Sequence, residues 1–235
     1  MSSTNQTNIA DATAVTTVKS DGKRDTGRTR RNNANDTPDV KLSKELAFIL
    51  RHGAEKKGLK LRDDGSISLD DLRRYQKLKS VTFDEIKHAV DTNNKKRFTL
   101  YQEKDTWYIR AVQGHSLAIK EPPLVKLTAK TVPPVIVHGT MRGTIKAIEE
   151  GGLSKMGRTH IHFAKGLPSD ADVISGMRKT ANAYIYINIA KAMGDGIEFY
   201  ESENGVILSK GLNDSGIIPA KYFESIQYRT TTASQ

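Results

Sequence analysis

The hydrophobic and polar positions between residues 40 and 93 predict three short helices. A turn at residues 63–65 and a short strand at residues 66–68 separate the first two helices, and Ser68 is placed to cap the second, which runs to about Tyr75. Residues 82–85 (TFDE) form a capping box for the third helix, which runs to about residue 93. The first helix is predicted from one apolar stripe, formed by Leu42, Leu46, Ile49 and Leu50.

Residues 97–101 and 106–111 alternate between apolar and polar positions, which predicts two strands joined by a turn at residues 102–105. The resulting order of helix, strand, helix, helix, strand, turn and strand is typical of a winged helix. Winged helices bind nucleic acid in many proteins and mediate protein contacts in others. We therefore expect residues 39–120 to form a winged-helix lobe, for which both nucleic acid and protein remain candidate partners.

Glu121, Pro122 and Pro123 interrupt the pattern and predict a domain boundary. Beyond them we expect strands at residues 135–137, 184–189, 197–200, 206–208 and 223–228, and a helix over residues 140–150 that Gly151 and Gly152 close. No Gly-x-Gly-x-x-Gly follows a strand, and no P-loop is present, so any dinucleotide would bind outside a Rossmann fold. The predicted fold class is α+β, with a β-rich lobe over residues 121–235.

The composition of the chain favours some classes of function and excludes others. The net charge is +10 and the pI is about 9.6, which favours an anionic partner such as nucleic acid, although a basic surface also serves solubility. The chain has no cysteine, which excludes thiol nucleophiles and cysteine zinc sites. Residues 1–38 are polar, carry an arginine-rich stretch at residues 24–31 and are predicted to be a disordered tail. The chain shows neither a secretion signal nor a membrane span, so we expect an intracellular monomer, in the cytoplasm or the nucleus.

Arginine and histidine recur in short blocks where a hydrolase would show carboxylates. Fixed guanidinium groups bind phosphate through two hydrogen bonds, so these blocks favour a site that holds phosphate. Taken singly, each block has a plainer interpretation, such as cations at a helix end, a solvated charge run or a structural histidine. The blocks are Arg51 with His52, Lys95 to Arg97, Gly114 to Ser116, His138 to Thr140, Arg158 to His162, and Ser175 to Arg178.

Seven stretches in one order resemble the NAD-dependent RNA 2′-phosphotransferase family, whose fungal members act on spliced tRNA. They are LSKELAFILRH, NKKRF, IRAVQGHS, VHGT, GGLSKMGRTHIHF, VISGMRK and FYESENGVILSKG, and together they span roughly residues 40–228. The resemblance implies that the winged-helix lobe over residues 39–120 binds RNA. It also implies a C-terminal lobe similar to ADP-ribosyltransferases that holds NAD as a consumed co-substrate, with no metal.

The resemblance also implies roles for individual residues. Arg51, His52, Arg97 and Arg178 match the catalytic positions, and Lys95, Lys96 and Arg97 are expected to contact RNA. Gly176 is expected to permit a backbone angle that aims Arg178 inward. The positions implied for NAD are His138, Gly139, Thr140, Arg158, His160, His162, Ser175 and Gly176.

Three further observations concern the predicted site, and the first two leave the role of a histidine open. Spacing does not decide whether His160 or His162 contacts NAD, and the two could instead chelate zinc, although no third ligand is evident. His115 matches the family without a defined role. Val206 stands where related transferases carry a catalytic glutamate, and Glu198, Glu201 and Glu203 lie near but not at that position, which argues against ADP-ribosylation of protein.

The function implied is removal of the splice-junction 2′-phosphate from ligated tRNA by its transfer to NAD. The reaction would pass through an ADP-ribosylated RNA 2′-phosphate and yield 2′-hydroxyl RNA, ADP-ribose 1″,2″-cyclic phosphate and nicotinamide. Two alternatives remain: an ADP-ribosyltransferase that stops after the first step on a nucleic-acid phosphate, and a non-catalytic winged-helix RNA-binding protein.

Overall fold

The first helix begins where the sequence supplies a cap and a proline. Thr37 Oγ1 accepts a hydrogen bond from Val40 N at 3.4 Å, and Pro38 is the first residue of α1 (Pro38–Phe48). The computed structural model describes residues 36–167, 176–178 and 180–229, so residues 1–35, Ser175 and Lys179 lie outside the described residues. Residues 36–38, which the composition assigned to the tail, lead into α1 and begin it.

The N-terminal elements follow the predicted order. Ser68 Oγ caps the second helix by accepting from Asp71 N at 3.0 Å, and the capping box of Thr82 and Glu85 is confirmed at the third. The second helix ends before Tyr75, because Tyr75 is extended there and its hydroxyl donates to Glu45 of α1 at 3.0 Å. The elements are β1 (Ile67–Ser68), α2 (Leu69–Leu72), α3 (Phe83–Asp91), β2 (Phe98–Glu103) and β3 (Thr106–Ala111), with the antiparallel strands in the order β1-β3-β2.

The sequence suggested that Arg51 and His52 end a helix, but the structure shows that the helical chain continues through them. They lie in a π-helical turn, Ile49–Gly53, that continues α1, and Ala54 N donates to Ile49 O at 3.0 Å. A side chain at Gly53 would place its Cβ 2.3 Å from Phe48 Cε1, so the turn packs tightly onto α1. Such turns widen a helix locally and are common at functional sites.

Among the described residues, the C-terminal half contains β4 and eight further strands, arranged in three sheets, together with two helices. The four-stranded sheet has the order β4-β9-β10-β7, the three-stranded sheet β12-β8-β5 and the two-stranded sheet β11-β6, all antiparallel. The bounds are β4 (Leu124–Lys126), β5 (Val137–Thr140), α4 (Ile145–Gly151), β6 (Leu153–Ser154), β7 (Ile161–Phe163), β8 (Ala183–Ile187), α5 (Ile189–Gly194), β9 (Tyr200–Ser202), β10 (Ile207–Ser209), β11 (Ile217–Ile218) and β12 (Phe223–Tyr228).

Several predicted bounds in this half were shifted. The strand expected at residues 135–137 begins at Val137 and includes Thr140, because it pairs with β8 through that residue. The helix expected from residue 140 therefore starts only at Ile145. The strand expected over residues 184–189 ends at Ile187, because Asn188 Oδ1 accepts from Lys191 N at 3.0 Å and caps α5.

Two separate apolar cores support the two halves. One is centred on Leu46, Leu50 and Ile109, and the other on Phe163, Phe199 and Tyr222. A smaller apolar group lies beside β5 and β8 and contains Val137, Ala164, Met177, Ala181 and Tyr184. The mixture of helices and antiparallel sheets confirms the α+β class.

Polar contacts join the two halves within the compact unit Ala34–Gln235. Lys95 Nζ donates to Met177 O at 3.3 Å, and Asn204 Nδ2 donates to Lys95 O at 2.9 Å. Arg110 Nε donates to Glu203 Oε1 at 3.2 Å. Among the described residues, no helix is long and apolar enough to cross a membrane.

Candidate functional site

Arg51 is held by its own backbone in a buried position. Its carbonyl oxygen accepts from Ser116 N at 2.9 Å and from Leu117 N at 3.3 Å. The guanidinium lies against Gly114, where an added Cβ would be 3.5 Å from Arg51 Cζ. Within the described part of the chain, the buried Nε and Nη2 atoms of Arg51 have no hydrogen-bond partner. Buried guanidinium donors that have no partner in the protein are available to bind an anion.

Residues 113–117 connect the π-helical turn to the C-terminal half. Ser116 Oγ lies 2.9 Å from Nδ1 of the exposed His52 and forms a hydrogen bond with it. Thr159 N and Thr159 Oγ1 donate to His115 O at 2.9 and 3.3 Å. His162 Nε2 donates to Gln113 Oε1 at 2.9 Å. This segment therefore fixes Arg51 and His52 relative to β7.

Arg97 is positioned by a buried asparagine that sequence reasoning missed. Asn93 Oδ1 accepts from both Arg97 N and Arg97 Nη1 at 3.3 Å, and Asn93 Nδ2 donates to Ser43 Oγ of α1 at 3.1 Å. Lys96 is left-handed, with φ of 43°, so the chain turns sharply just before Arg97. Lys96 is exposed, whereas Lys95 is half-buried between the two halves.

His138 has a defined tautomer. Its Nδ1 donates to His162 O at 2.8 Å, because the carbonyl can only accept. Burial first, and then Arg158 and Arg178, lower the pKa of His138, so the ring is neutral and its Nε2 carries a lone pair. A neutral Nε2 of this kind can accept a hydrogen bond from a hydroxyl group.

Gly139 lies in β5 against a side chain from the Gly176–Arg178 segment. A Cβ at Gly139 would be 2.2 Å from Met177 Cγ and 3.0 Å from Ala181 Cβ. Gly176 has φ of 102°, as expected for the turn that precedes Arg178, and a Cβ there would be 2.8 Å from Phe163 O. Thr140, the last residue of β5, shares a hydrogen bond of 2.9 Å with Thr144 Oγ1.

His160 and His162 are both tied to neighbouring residues. His160 Nδ1 donates to Thr159 Oγ1 at 2.9 Å if that hydroxyl donates onward to His115 O. Burial is the largest cause that lowers the pKa of each histidine, to about 4 for His160 and well below the usual range for His162. Among the described residues, no group of three or more histidine, cysteine, aspartate or glutamate side chains could hold a metal ion.

The charges of the site are almost all positive. Burial, Arg97 and Arg158, in that order, lower the pKa of Arg51 to about 10, and burial also lowers that of Arg97. Burial and then Arg178 lower the pKa of Arg158. The three glutamates near Val206 are paired elsewhere: Glu198 with Lys126, Glu201 with Lys165 and Glu203 with Arg110. The site therefore carries positive charge that a bound anion would offset.

The structure thus brings most of the expected residues into one region. Arg51, His52, Arg97, Arg158, Arg178, His138, His160 and His162 influence one another's surroundings or share partners. Ser175 lies outside the described residues. Sequence reasoning gave no role to four residues that hold the basic residues in place, namely Asn93, Gln113, Ser116 and Thr159. One sequence signal could have indicated three of them. Asn93, Ser116 and Thr159 are polar residues that lie one to four positions from an arginine or histidine of a matched block.

A family model described as RNA 2′-phosphotransferase, Tpt1 / KptA family, matches residues 37–211. The chain belongs to this family. The matched residues include the four positions expected to be catalytic, which are Arg51, His52, Arg97 and Arg178. Membership in the RNA 2′-phosphotransferase family makes the chain a transferase.

Named relatives agree with the family. A putative tRNA 2′-phosphotransferase of Schizosaccharomyces pombe is 43% identical over 188 residues, 80% of this chain and 51% of the relative, so this match spans about half of that protein. The tRNA 2′-phosphotransferase 1 of Danio rerio is 42% identical over 206 residues, 86% of this chain and 91% of the relative. The tRNA 2′-phosphotransferase of Saccharomyces cerevisiae is 37% identical over 186 residues, 75% of this chain and 81% of the relative.

Proposed function

We propose that this transferase removes the splice-junction 2′-phosphate from ligated tRNA by transferring it to NAD. The observation that carries the proposal is Arg51, whose buried Nε and Nη2 have no partner among the described residues and lie near Arg97 and Arg158. A phosphomonoester presents several acceptor oxygens to such donors. The family and its named relatives support RNA as the bearer of that phosphate.

The residues of β5 and its surroundings fit NAD as the second substrate. Gly139 lets Met177 and Ala181 pack directly onto β5 beside His138, and the Nε2 lone pair of His138 would accept from a ribose hydroxyl. Arg158 and Arg178, both close enough to lower the pKa of His138, would face the diphosphate. NAD supplies a ribose carbon with a good leaving group and, later, a neighbouring hydroxyl.

The proposed chemistry has two displacements. First, an oxygen of the RNA 2′-phosphate attacks the ribose carbon that carries nicotinamide, and nicotinamide leaves with the bond electrons. Then the 2″-hydroxyl of that ribose gives up its proton and attacks phosphorus, the bond from phosphorus to the RNA 2′-oxygen breaks, and the departing 2′-oxygen takes up a proton. The products are 2′-hydroxyl RNA and ADP-ribose 1″,2″-cyclic phosphate.

The basic residues have different roles in the two displacements. Arg51 and Arg97 hold the phosphate while negative charge grows on its oxygens in the second step. His52, which is hydrogen-bonded to Ser116 Oγ and open to solvent, would either protonate the departing 2′-oxygen or bind the phosphate. Lys95 and Lys96 remain proposed contacts for neighbouring RNA phosphates, and the predicted winged helix remains the proposed RNA-binding lobe over residues 39–120.

One assay separates this function from its alternatives. A 2′-phosphorylated oligoribonucleotide is incubated with the protein, with and without NAD, and the RNA is analysed by mass. We expect RNA lighter by one phosphate only when NAD is present. RNA that gains ADP-ribose and stops there would indicate a transferase limited to the first step, and unchanged RNA that still binds would indicate a non-catalytic RNA-binding protein.

A further inference from the structure

His115 is a buried histidine for which the proposed chemistry has so far no use. Its side chain is only 5% exposed, and its carbonyl is fixed by Thr159 N and Thr159 Oγ1. Gly114, with φ of 86°, turns the chain immediately before it. The backbone that carries the ring is therefore fixed on both sides.

The buried Nε2 atom of His115, like two atoms of Arg51, has no hydrogen-bond partner among the described residues. Across residues 36–167, 176–178 and 180–229, the buried side-chain nitrogens or oxygens without a hydrogen-bond partner are Arg51 Nε, Arg51 Nη2 and His115 Nε2. Buried polar atoms are almost always paired, so three such atoms on two residues indicate a common missing partner.

The two residues are also close in space. Gly114, next to His115, lies against the Arg51 guanidinium. Burial first, and then Arg51, His52 and His160 in that order, lower the pKa of His115 to about 4. The ring is thus neutral near pH 7 and can donate one N–H.

These three nitrogens define the ligand they need. The Arg51 atoms are donors only, and a neutral imidazole protonated at Nε2 adds a third donor. A ligand that satisfies all three must offer several acceptor oxygens at one point, which is the chemistry of a phosphate group.

We propose that His115 is a phosphate-binding residue of the active site, whose Nε2–H donates to an oxygen of the same phosphate that Arg51 holds. The proposal rests on the proposed function, because that function brings phosphate to Arg51. The phosphate is that of the RNA 2′ position or of the NAD diphosphate, and the two sources are distinguished by separate ligands in the test.

Two amide substitutions distinguish the ring nitrogens. In His115→Gln the side-chain N–H lies close to the former Nε2, whereas in His115→Asn it lies close to the former Nδ1. Binding is measured for 2′-phosphorylated RNA, for the same RNA with a 2′-hydroxyl, and for ADP-ribose as the source of a diphosphate. We expect His115→Asn to weaken binding of one phosphate ligand by about 10-fold to 100-fold, and His115→Gln to restore most of it.

The 2′-hydroxyl RNA is the control, and its affinity should be the same in the wild type and both variants. If both variants keep, or both lose, the wild-type affinity for 2′-phosphorylated RNA and for ADP-ribose, Nε2 does not bind phosphate and the inference is wrong. If the wild type itself neither prefers the 2′-phosphorylated RNA nor binds ADP-ribose, the proposed function fails regardless of His115.

A second measurement needs no variant and covers the case in which a variant fails to fold. In the wild-type protein labelled with ¹⁵N histidine, the Nε2–H of His115 should become a protected, downfield proton when the phosphate ligand is added. It should not do so with 2′-hydroxyl RNA. A resonance that both RNAs leave unchanged, and that ADP-ribose also leaves unchanged, would overturn the proposal.

Discussion

The candidate site is defined by neighbouring cations, of which Arg51 and Arg97 are half-buried. Arg51 loses hydration and meets Arg97 and Arg158, and its pKa falls to about 10 as a result. Such an arrangement costs stability in the free protein and is repaid when an anion binds. Function and stability should therefore oppose each other at this residue.

Replacing Arg51 by Met should show this opposition. Removal of a buried cation near two others should raise the free energy of unfolding by about 1 kcal/mol or more, while transferase activity is lost. Thermal melting and turnover on 2′-phosphorylated RNA check the two effects. Arg62→Met is the matched control, because Arg62 is exposed and paired with Glu103, and this variant should not gain stability. A less stable Arg51→Met protein would contradict the idea that Arg51 is strained.

Arg97 should matter more in the second displacement than in the first. In the first step arginine positions the phosphate but also withdraws charge from the attacking oxygen, whereas in the second it positions the phosphate and stabilises growing charge. Arg97→Ala should slow the second step on the order of 10²–10³-fold, so that ADP-ribosylated RNA accumulates in single-turnover reactions. Loss of all RNA modification without a trapped adduct would mean that Arg97 mainly positions the substrate.

Among the secondary-structure elements, β5 depends on one residue without a side chain, Gly139. Gly139→Ala would drive its Cβ into Met177 and Ala181, which should cost about 1–3 kcal/mol of stability and raise the KM for NAD. Gly157→Ala is the matched control, since a Cβ there meets nothing within 4 Å. Melting curves and NAD titrations check both variants. Equal behaviour of the two alanine variants would remove Gly139 from the proposed NAD site.

Local sequence signals predicted the elements that local contacts determine. The Ser68 cap, the Thr82–Glu85 capping box and the hairpin of β2 and β3 each depend on neighbours in sequence. The π-helical turn at Arg51 was missed, because it depends on Phe48 packing against Gly53 and on residues 116 and 117, far along the chain. The bounds of β5 and β8 shifted for the same reason, since pairing across the sheet sets them.

The candidate site itself followed from resemblance rather than from spacing. Arg51, Arg97, Arg158 and Arg178 are scattered over more than half of the chain, and no periodicity indicates that they meet. Their gathering depends on tertiary contacts such as Lys95 to Met177 and His162 to Gln113. The supporting residues Asn93 and Gln113 became evident only from those contacts.

At the scale of the whole molecule, buried histidines couple stability to pH. His115 and His160 have folded pKa values of about 4, against about 6.5 in an unfolded chain. Between these values the unfolded chain binds more protons, so stability is complete above about pH 6.5 and falls as the pH drops toward 4. The melting temperature should fall over this window, and less steeply in His115→Gln than in the wild type.

The wild-type protein, melted over the same pH range, provides the reference for this effect. If His115→Gln has the same pH dependence as the wild type, His115 takes up a proton in the folded protein as readily as in the unfolded one.

The tail should be dispensable for chemistry. The family match begins at residue 37, and the helix cap begins at Thr37, so the cut belongs after residue 35 rather than after residue 38. Deletion of residues 1–35 should leave NAD-dependent activity on a short oligonucleotide unchanged, as steady-state kinetics would show. A cut after residue 38 removes the cap and should lower the melting temperature. A large loss of turnover in the shorter deletion would contradict this division.

The central claim is that the basic site passes the RNA 2′-phosphate to NAD. Its most direct test is the fate of the phosphorus, followed with an oligoribonucleotide whose 2′-phosphate carries ³²P. With NAD present, we predict that the label leaves the RNA and appears in ADP-ribose 1″,2″-cyclic phosphate, and that it stays on the RNA without NAD. Release of the label as inorganic phosphate, with or without NAD, would mean that water takes the phosphate and would contradict the account.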